Sequence, residues 1–289
     1  MTLPGLDSKP IPSHLNLTWE QIARKADQHT LAAQLWLDTR APGAAQFYGE
    51  GVSCGSTGIP APLLNQALGA HFPEEFSGNQ VRNEIEGIQA FFSERGVPWY
   101  WWLSPFCQPS NMPELLADYG LVERDSSLPA MVAFLEPETW REPAPEITVW
   151  RAKTQEDLQA ASHIRRVGFR FPEGIGLDYF ELMPDSWLSE ESPARLYLAG
   201  VGDGPPVSMG ALIYTEGLPG VYVMATLPEW SRRGLGTAIL HKIMTEAAAG
   251  EGDFIILTAS PFGFGLYQKF GFEHVFDYHI YQLETQVNK

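Results

Sequence analysis

The chain has 289 residues, 44% hydrophobic and 19% charged, with 19 Lys and Arg against 35 Asp and Glu for a formal net charge of −16. This is enough for two ordinary domains or one large one with a real core, and it excludes global disorder. A nucleic-acid binder needs a basic footprint. Isolated cation pairs such as Arg165-Arg166 and Arg232-Arg233 make no such footprint, so nucleic acid is excluded as a partner, whereas a cationic small substrate would suit the field.

Cys54 and Cys107 are far apart with no metal-like spacing and read as free thiols of a reducing compartment. Residues Met1 to Asn16 are proline-rich and polar without the apolar core of a leader, and no apolar run approaches the ~20 residues needed to span a bilayer. A soluble, cytoplasmic protein without a membrane partner is expected, as monomer or homodimer.

Leu17 to Asp38 reads as a helix, with Thr18 to cap it and Ile22, Ala26, Ala33 and Trp36 on its apolar side. Gln46 to Cys54 reads as a strand and Leu64 to Ala70 as a short apolar segment. Asn79 to Arg95 is helical again, with Val81, Ile85, Ile88 and Phe92 in phase. A strand over Val97–Leu103, a short helix from Met112 ended by Gly120, and a closing strand over Pro129–Leu135 complete the first half. Glu136 to Pro145, with Pro137, Pro143 and Pro145, reads as a linker.

In the second half, Ile147–Arg151 reads as a strand and Thr154 caps a helix running to about Val167. A loop over Gly168–Gly176 and an aromatic-rich segment over Leu177–Leu188 follow. Arg195–Val201 and Pro206–Tyr214 form a hairpin across Gly202-Asp203-Gly204.

The organising stretch begins at Val221. A buried strand runs to a proline-marked turn at Pro228, and a glycine-rich loop opens into a helix. Leu235, Ile239, Ile243 and Ala247, flanked by Leu240 and Met244, make the helix's apolar stripe, and Gly250 and Gly252 end it. The first turn of such a helix leaves N–H groups without intrahelical partners and carries partial positive charge. Gly234 and Gly236 leave the backbone approachable by an anion, and Arg232 and Arg233 add charge at the rim. Ile239 stands where a dinucleotide fingerprint needs its third glycine, and no G-K-[ST] ending is present. Phe254–Ala259 is a second buried strand, followed by Ser260-Pro261-Phe262-Gly263. No His-x-x-x-His or Cys pair marks a metal site, and no serine has a nucleophile-elbow context.

The halves repeat one order of events. Phe72-Pro73-Glu74 parallels Leu227-Pro228-Glu229, Leu103-Ser104-Pro105-Phe106 parallels Ala259-Ser260-Pro261-Phe262, and Asp118-Tyr119-Gly120-Leu121 parallels Lys269-Phe270-Gly271-Phe272.

Together, P-E-W-S-R-R-G-L-G-T over 228–237 and L-Y-Q-K-F-G-F over 266–272 resemble the GNAT superfamily of acyl-CoA-dependent N-acyltransferases. The resemblance implies an α/β (α+β) fold of two GNAT-like repeats. Each is a mixed, mostly antiparallel twisted sheet flanked by helices, with a strand splay holding CoA in the C-terminal one. Residues 1–140 are then a divergent repeat without a pyrophosphate loop, since its helix begins near Glu75-Phe76-Ser77-Gly78-Asn79 with no paired glycines and no arginine. Residues 146–289 are the acyl-CoA-binding catalytic repeat.

The resemblance also assigns roles. Arg232, Arg233, Gly234, Leu235, Gly236 and Thr237 cradle the CoA pyrophosphate. The amides of Met224, Ala225 and Thr226 hold the pantetheine and polarise the thioester carbonyl; Ser260 and Phe264 lie near the same arm. Tyr267 protonates the departing thiolate. Phe169, Arg170, Phe171, Tyr179 and Trp187 fall in the region that lines the acceptor pocket. Two positions depart from the pattern: Ser231 stands where the loop usually has Arg or Gln, and the strand lacks the acidic residue that often serves as base. Glu216, Tyr222, Asp277 and His279 are the nearest alternatives, none a convincing match. The implied activity is transfer of acetyl from acetyl-CoA to a primary amine of a small molecule, with no metal. The alternatives are a non-catalytic CoA-binding or sensing protein, or transfer of a longer acyl group.

Overall fold

The computed structural model describes residues 6, 9–125, 127–136, 140, 142–175, 178–250 and 252–286. The chain divides into two compact units that are interleaved in sequence. The C-terminal unit holds residues through Thr30 together with Ala130–Val275. The N-terminal unit holds Leu31–Pro129 together with the residues from Phe276 on. The stretch expected as a linker therefore falls inside the C-terminal unit; its Pro137 lies outside the described residues.

Helix α1 (Trp19–Asp38) opens the chain, with Ile22, Ala23, Ala26 and Ala33 fully buried. In the N-terminal unit the single strand expected over 46–54 is a hairpin. Strands β1 (Ala45–Tyr48) and β2 (Ser53–Ser56) pair antiparallel, and the Gly49 amide donates to the Val52 carbonyl at 2.9 Å between them. The central strand β3 (Asn65–Leu68) is antiparallel to β2. Helix α2 (Gly78–Arg95) then crosses over, burying Val81, Ile85, Ile88 and Phe92 and stopping at Gly96, whose φ of 63° only glycine adopts freely. Its crossover makes β4 (Tyr100–Leu103) parallel to β3. Helix α3 (Met112–Asp118) and a short strand β5 (Leu121–Glu123) follow. Trp99 and Trp101, both about fully buried, are the largest members of this unit's core.

Strand β6 (Leu128–Phe134) enters the C-terminal unit, where β7 (Ile147–Arg151) begins the second half. Thr154 starts α4 (Gln155–Gly168) as the first residue of a capping box completed by Asp157. Gly176 of the expected loop and Leu177 of the aromatic-rich segment lie outside the described residues, and that segment ends in the single turn α5 (Asp185–Leu188). The expected hairpin is β8 (Ala194–Val201) with β9 (Ser208–Thr215), and β10 (Leu218–Thr226) pairs antiparallel to β9. Helix α6 (Leu235–Ala248) crosses over to β11 (Phe254–Thr258), parallel to β10, and α7 (Phe264–Gln268) follows. The sheet of this unit runs β7-β8-β9-β10-β11-β6.

The last strand, β12 (Glu273–Leu283), pairs with β4 at His279–Tyr281 and with β5 at Tyr281–Leu283. The closing strands are thus exchanged between the halves: β6 pairs with β11 at five positions from Phe254 to Thr258, and β12 with β4. The fold is mixed α/β, with a mostly antiparallel sheet flanked by helices. No described helix is long and apolar enough to cross a membrane.

Candidate active site

The site forms where β10 leaves β11. Gly220 and Val221 are the only β10 residues registered with β11, opposite Ile256 and Leu257, while pairing with β9 continues to Thr226. Along β10 the burial falls after Tyr222, from buried to half-buried at Val223–Thr226. Residues Tyr222–Thr226 thus present one backbone edge without a described strand partner, the arrangement an extended acyl-carrying arm needs for strand-like hydrogen bonds.

A bulge sets the register of that edge. The pairing with β9 shifts between Tyr222 and Ala225, and Val223 has a φ of 47°. A β-branched residue in the left-handed region stores roughly 1–3 kcal/mol of strain. Packing on both faces supports it. A β-carbon on Gly210 would come 2.3 Å from the Met224 sulfur and 2.8 Å from Ile239 Cγ2, so Met224 is seated between β9 and α6. On the other face a β-carbon on Gly168 would come 2.9 Å from the Ala225 β-carbon, so the end of α4 lies directly on the splayed strand. The Ser208 hydroxyl donates to the Ala225 carbonyl at 2.9 Å and lies 2.7 Å from the Thr226 hydroxyl.

The glycine loop comes next. A turn of 3-10 helix over Pro228–Trp230 leads to Arg232 at φ 60° and to Gly234, the N-cap of α6, at φ 89°. No side chain caps α6. Ala238 is the first residue whose amide bonds back, to the Gly234 carbonyl at 3.0 Å, so the amides of Leu235, Gly236 and Thr237 lead the helix without intrahelical acceptors. Leu235 is buried, so only its backbone is offered to a ligand. Arg232 and Arg233 are exposed, the latter with its guanidinium 4.8 Å from the Trp230 ring centre. The Ser231 hydroxyl turns back to the Leu227 carbonyl at 3.5 Å.

Helix α7 stands beside this turn, Leu266 against Gly236. Ser260 closes the turn before α7: its carbonyl and hydroxyl both accept the Gly263 amide, at 3.0 and 3.2 Å. Phe264 is half-buried, edge-on to His274. Tyr267 is 7% exposed, edge-on to Phe272, with Gly263 leaving room for its ring. Burial pushes its pKa up to about 12, so the phenol keeps its proton at neutral pH.

The corresponding place in the N-terminal unit is closed twice over. Beyond Leu68, the Gln108 amide donates to the Ala70 carbonyl at 2.7 Å and its carbonyl accepts the Phe72 amide at 3.2 Å. The chain itself fills the gap beside β3. At α2, Ser77 accepts the Gln80 amide while the Gln80 side chain accepts the Ser77 amide. That capping box occupies donors that α6 leaves free. What remains there is a cavity of about 490 Å³ over Phe72, Phe76, Val81 and Leu115, with Glu74 and Arg82 at its wall.

Of the residues expected around an acceptor, Tyr179 and Trp187 are fully buried, packed with Phe180 around the buried Arg165, and belong to the core. Phe169 and Phe171 are half-buried and stacked. Arg170, at φ 56°, is exposed with its guanidinium 5.9 Å from the ring of Phe262, which is 90% exposed. Glu216 sits with Gly217 in the β9–β10 turn, at the other end of β10 from the splay. Tyr222 is buried and directs its hydroxyl to His29 at 3.0 Å. His279 pairs with Glu123, and the Ser127 hydroxyl donates to Asp277, all within the N-terminal unit. Glu216, Asp277 and His279 lie off the open edge of β10, and Tyr222, at its start, has its hydroxyl engaged by His29. Among the described residues, no group of three His, Cys, Asp or Glu side chains forms a metal set. The roles of Gln108, His29, Gly168 and Gly210 were not anticipated. All act through long-range backbone or steric contacts that leave no local motif.

The fold has known counterparts. Residues 193–274 match the family model described as an acetyltransferase (GNAT) domain. No curated protein matches the chain. Among solved structures, a GCN5-related N-acetyltransferase from Kribbella flavida is similar over 90% of this chain and 95% of its own, at 19% identity and a TM-score of 0.65. A tandem GNAT protein from the clavulanic acid biosynthesis pathway is similar over 92% and 96%, at 12% identity and a TM-score of 0.60. A GCN5-related N-acetyltransferase from Sphaerobacter thermophilus follows at 90% and 92%, 14% identity and a TM-score of 0.56. The fold is that of these GNAT-type structures. Residues 193–274 thus match a GNAT domain, and over the chain the fold resembles that of a tandem GNAT protein.

Proposed function

We propose that the chain transfers an acetyl group from acetyl-CoA to a primary amine of a small molecule by direct attack, with CoA held by the C-terminal repeat alone. The observation that carries this is the pairing, in one unit, of an uncapped α6 with an unpartnered edge of β10, against a capped α2 and a filled gap in the other. The residues present fit the ligand. The amides of Leu235, Gly236 and Thr237 would take the pyrophosphate, with Arg232 and Arg233 alongside. The edge at Met224, Ala225 and Thr226 would take the pantetheine, near Ser260 and Phe264.

Acetyl-CoA supplies an activated thioester carbonyl. The chain's part is to hold that carbonyl against β10 amides, which favour the charge developing on oxygen, and to donate a proton to sulfur. A C–N bond forms, the C–S bond breaks, the thiolate takes the phenolic proton of Tyr267, and the amine's surplus proton passes to water. The acidic surface favours a cationic amine in the encounter.

The test is thiol release from acetyl-CoA across a panel of small amines, run beside CoA binding. Amine-dependent release supports the reading. Binding without release for any amine supports a CoA sensor instead, the reading favoured by Ser231 turning to its own backbone and by the lack of an acidic residue on the splayed edge. Release from a longer acyl-CoA but not acetyl-CoA would revise the donor. Absence of CoA binding would overturn both.

A further inference from the structure

We propose that His29, carried on α1 from the far end of the sequence, is a positioning residue that fixes where β10 parts from β11; this rests on the acyl-CoA reading above. The imidazole is fully buried and touches β10 at three alternate residues. Its Nε2 lies 3.1 Å from the Leu218 carbonyl, which only accepts, so Nε2 carries the hydrogen. Nδ1 is then the acceptor for the Tyr222 hydroxyl at 3.0 Å, and the two rings stack at 5.8 Å and 14°. Between them, Gly220 has no room for a side chain: a β-carbon there would stand 2.3 Å from His29 Cε1. The Thr215 hydroxyl donates to the His29 carbonyl at 3.1 Å, tying the helix to the end of β9 as well.

These contacts bracket Gly220 and Val221, the last β10 residues paired with β11. The next residue after Tyr222 is Val223, in the left-handed region at the register shift. Downstream the bulge is held by Met224 under α6 and Ala225 under Gly168; upstream it is held by His29. Without the upstream hold, Val223 can relax to extended backbone and β10 can slip by one residue against β9. A one-residue slip turns every following group to the opposite side. The amides of Met224–Thr226 would then be misdirected while the glycine loop stays in place.

Two variants test this: Tyr222→Phe, which keeps the ring and deletes the hydroxyl, and Tyr222→Phe combined with Val223→Gly. Glycine adopts positive φ freely and so should hold the bulge without help. Hydrogen exchange across β8, β10 and α6, CoA affinity and kcat are read for each. Tyr222→Phe should raise exchange at residues 223–226 selectively, and lower kcat about tenfold, the equivalent of one lost hydrogen bond. CoA affinity should stay within about threefold, since the pyrophosphate loop is untouched. Val223→Gly should restore most of the loss. Parental exchange at 223–226, a uniform rise across the unit, or a kcat loss that Val223→Gly leaves in place would overturn the proposal. If the parent binds no CoA, the acyl-CoA reading fails by itself, and the exchange arm still decides whether His29 holds the strand.

Discussion

Leu266 closes over Gly236 at a distance that leaves room for one more carbon: a methyl group on Gly236 would meet Leu266 Cδ2 at 3.5 Å, an ordinary contact. Gly236 has no positive φ to require glycine, whereas Gly234 has one at 89°. The protein itself therefore needs Gly234 and tolerates a larger residue at Gly236. A ligand approaching the first turn of α6 closely would need both.

Alanine substitutions should separate these demands. Gly236→Ala should leave stability unchanged or raise it by up to about 1 kcal/mol, as alanine favours helix. Its CoA affinity should fall. Gly234→Ala should lose about 1 kcal/mol or more, because it forces a side chain into the left-handed region. Thermal unfolding and calorimetry read the two effects independently. Equal CoA affinity in Gly236→Ala and parent would mean that no ligand approaches there.

Tyr267→Phe should lower kcat by about 10²–10⁴-fold, the usual worth of general acid catalysis, with CoA affinity little changed. The pH profile adds a second check. A general acid works only while protonated, and burial raises the Tyr267 pKa to about 12. Activity should therefore persist above pH ~10, where an ordinary tyrosine begins to ionise, and fall only toward 12. Turnover in Tyr267→Phe within a few-fold of the parent, with chemistry rate-limiting, would make Tyr267 scaffold.

Much of this architecture is legible locally. The apolar stripe of Leu235, Ile239 and Ile243, the Thr154 cap, and the short run Phe254–Thr258 each encode their element within a few residues. What escapes the sequence is pairing at a distance. Nothing near Met131 or Ile280 says that the closing strands exchange partners, because alternating burial is satisfied by either neighbour. Gln108 closes the gap beside β3 with main-chain groups that any residue but proline supplies, so its identity carries no signal. His29 and Tyr222, 193 residues apart, meet only in the fold.

Ser77→Ala removes the capping box of α2. It should destabilise the N-terminal unit by about 1 kcal/mol and leave acetyl-CoA affinity at the parental value. Denaturant unfolding together with a CoA titration checks this. A gain of CoA binding would show that the cap alone keeps this unit from taking the ligand.

His29 gives the fold a pH dependence of known sign. Burial, opposed by the Leu218 carbonyl, lowers its pKa from 6.5 to about 4. Between those values the unfolded chain takes up a proton that the folded protein refuses, so stability is full above pH 6.5 and lost as pH falls toward 4. The whole effect is on the order of 3 kcal/mol. His29→Gln should be less stable than the parent near neutral pH, yet lose less on acidification through that window. Parallel stability curves for the two proteins would contradict a neutral, buried imidazole.

The most direct measurement is a calorimetric titration of the intact chain with CoA, repeated on Gly236→Glu. One site per chain is expected, because of the two corresponding helices α6 has an uncapped first turn beside an open strand edge and α2 is closed by its capping box. Gly236→Glu should abolish that site while the thermal transition remains, since it sets bulk and negative charge at the positive end of the helix. Two equivalent sites per chain, or undiminished affinity in Gly236→Glu, would contradict the assignment of CoA to the C-terminal repeat.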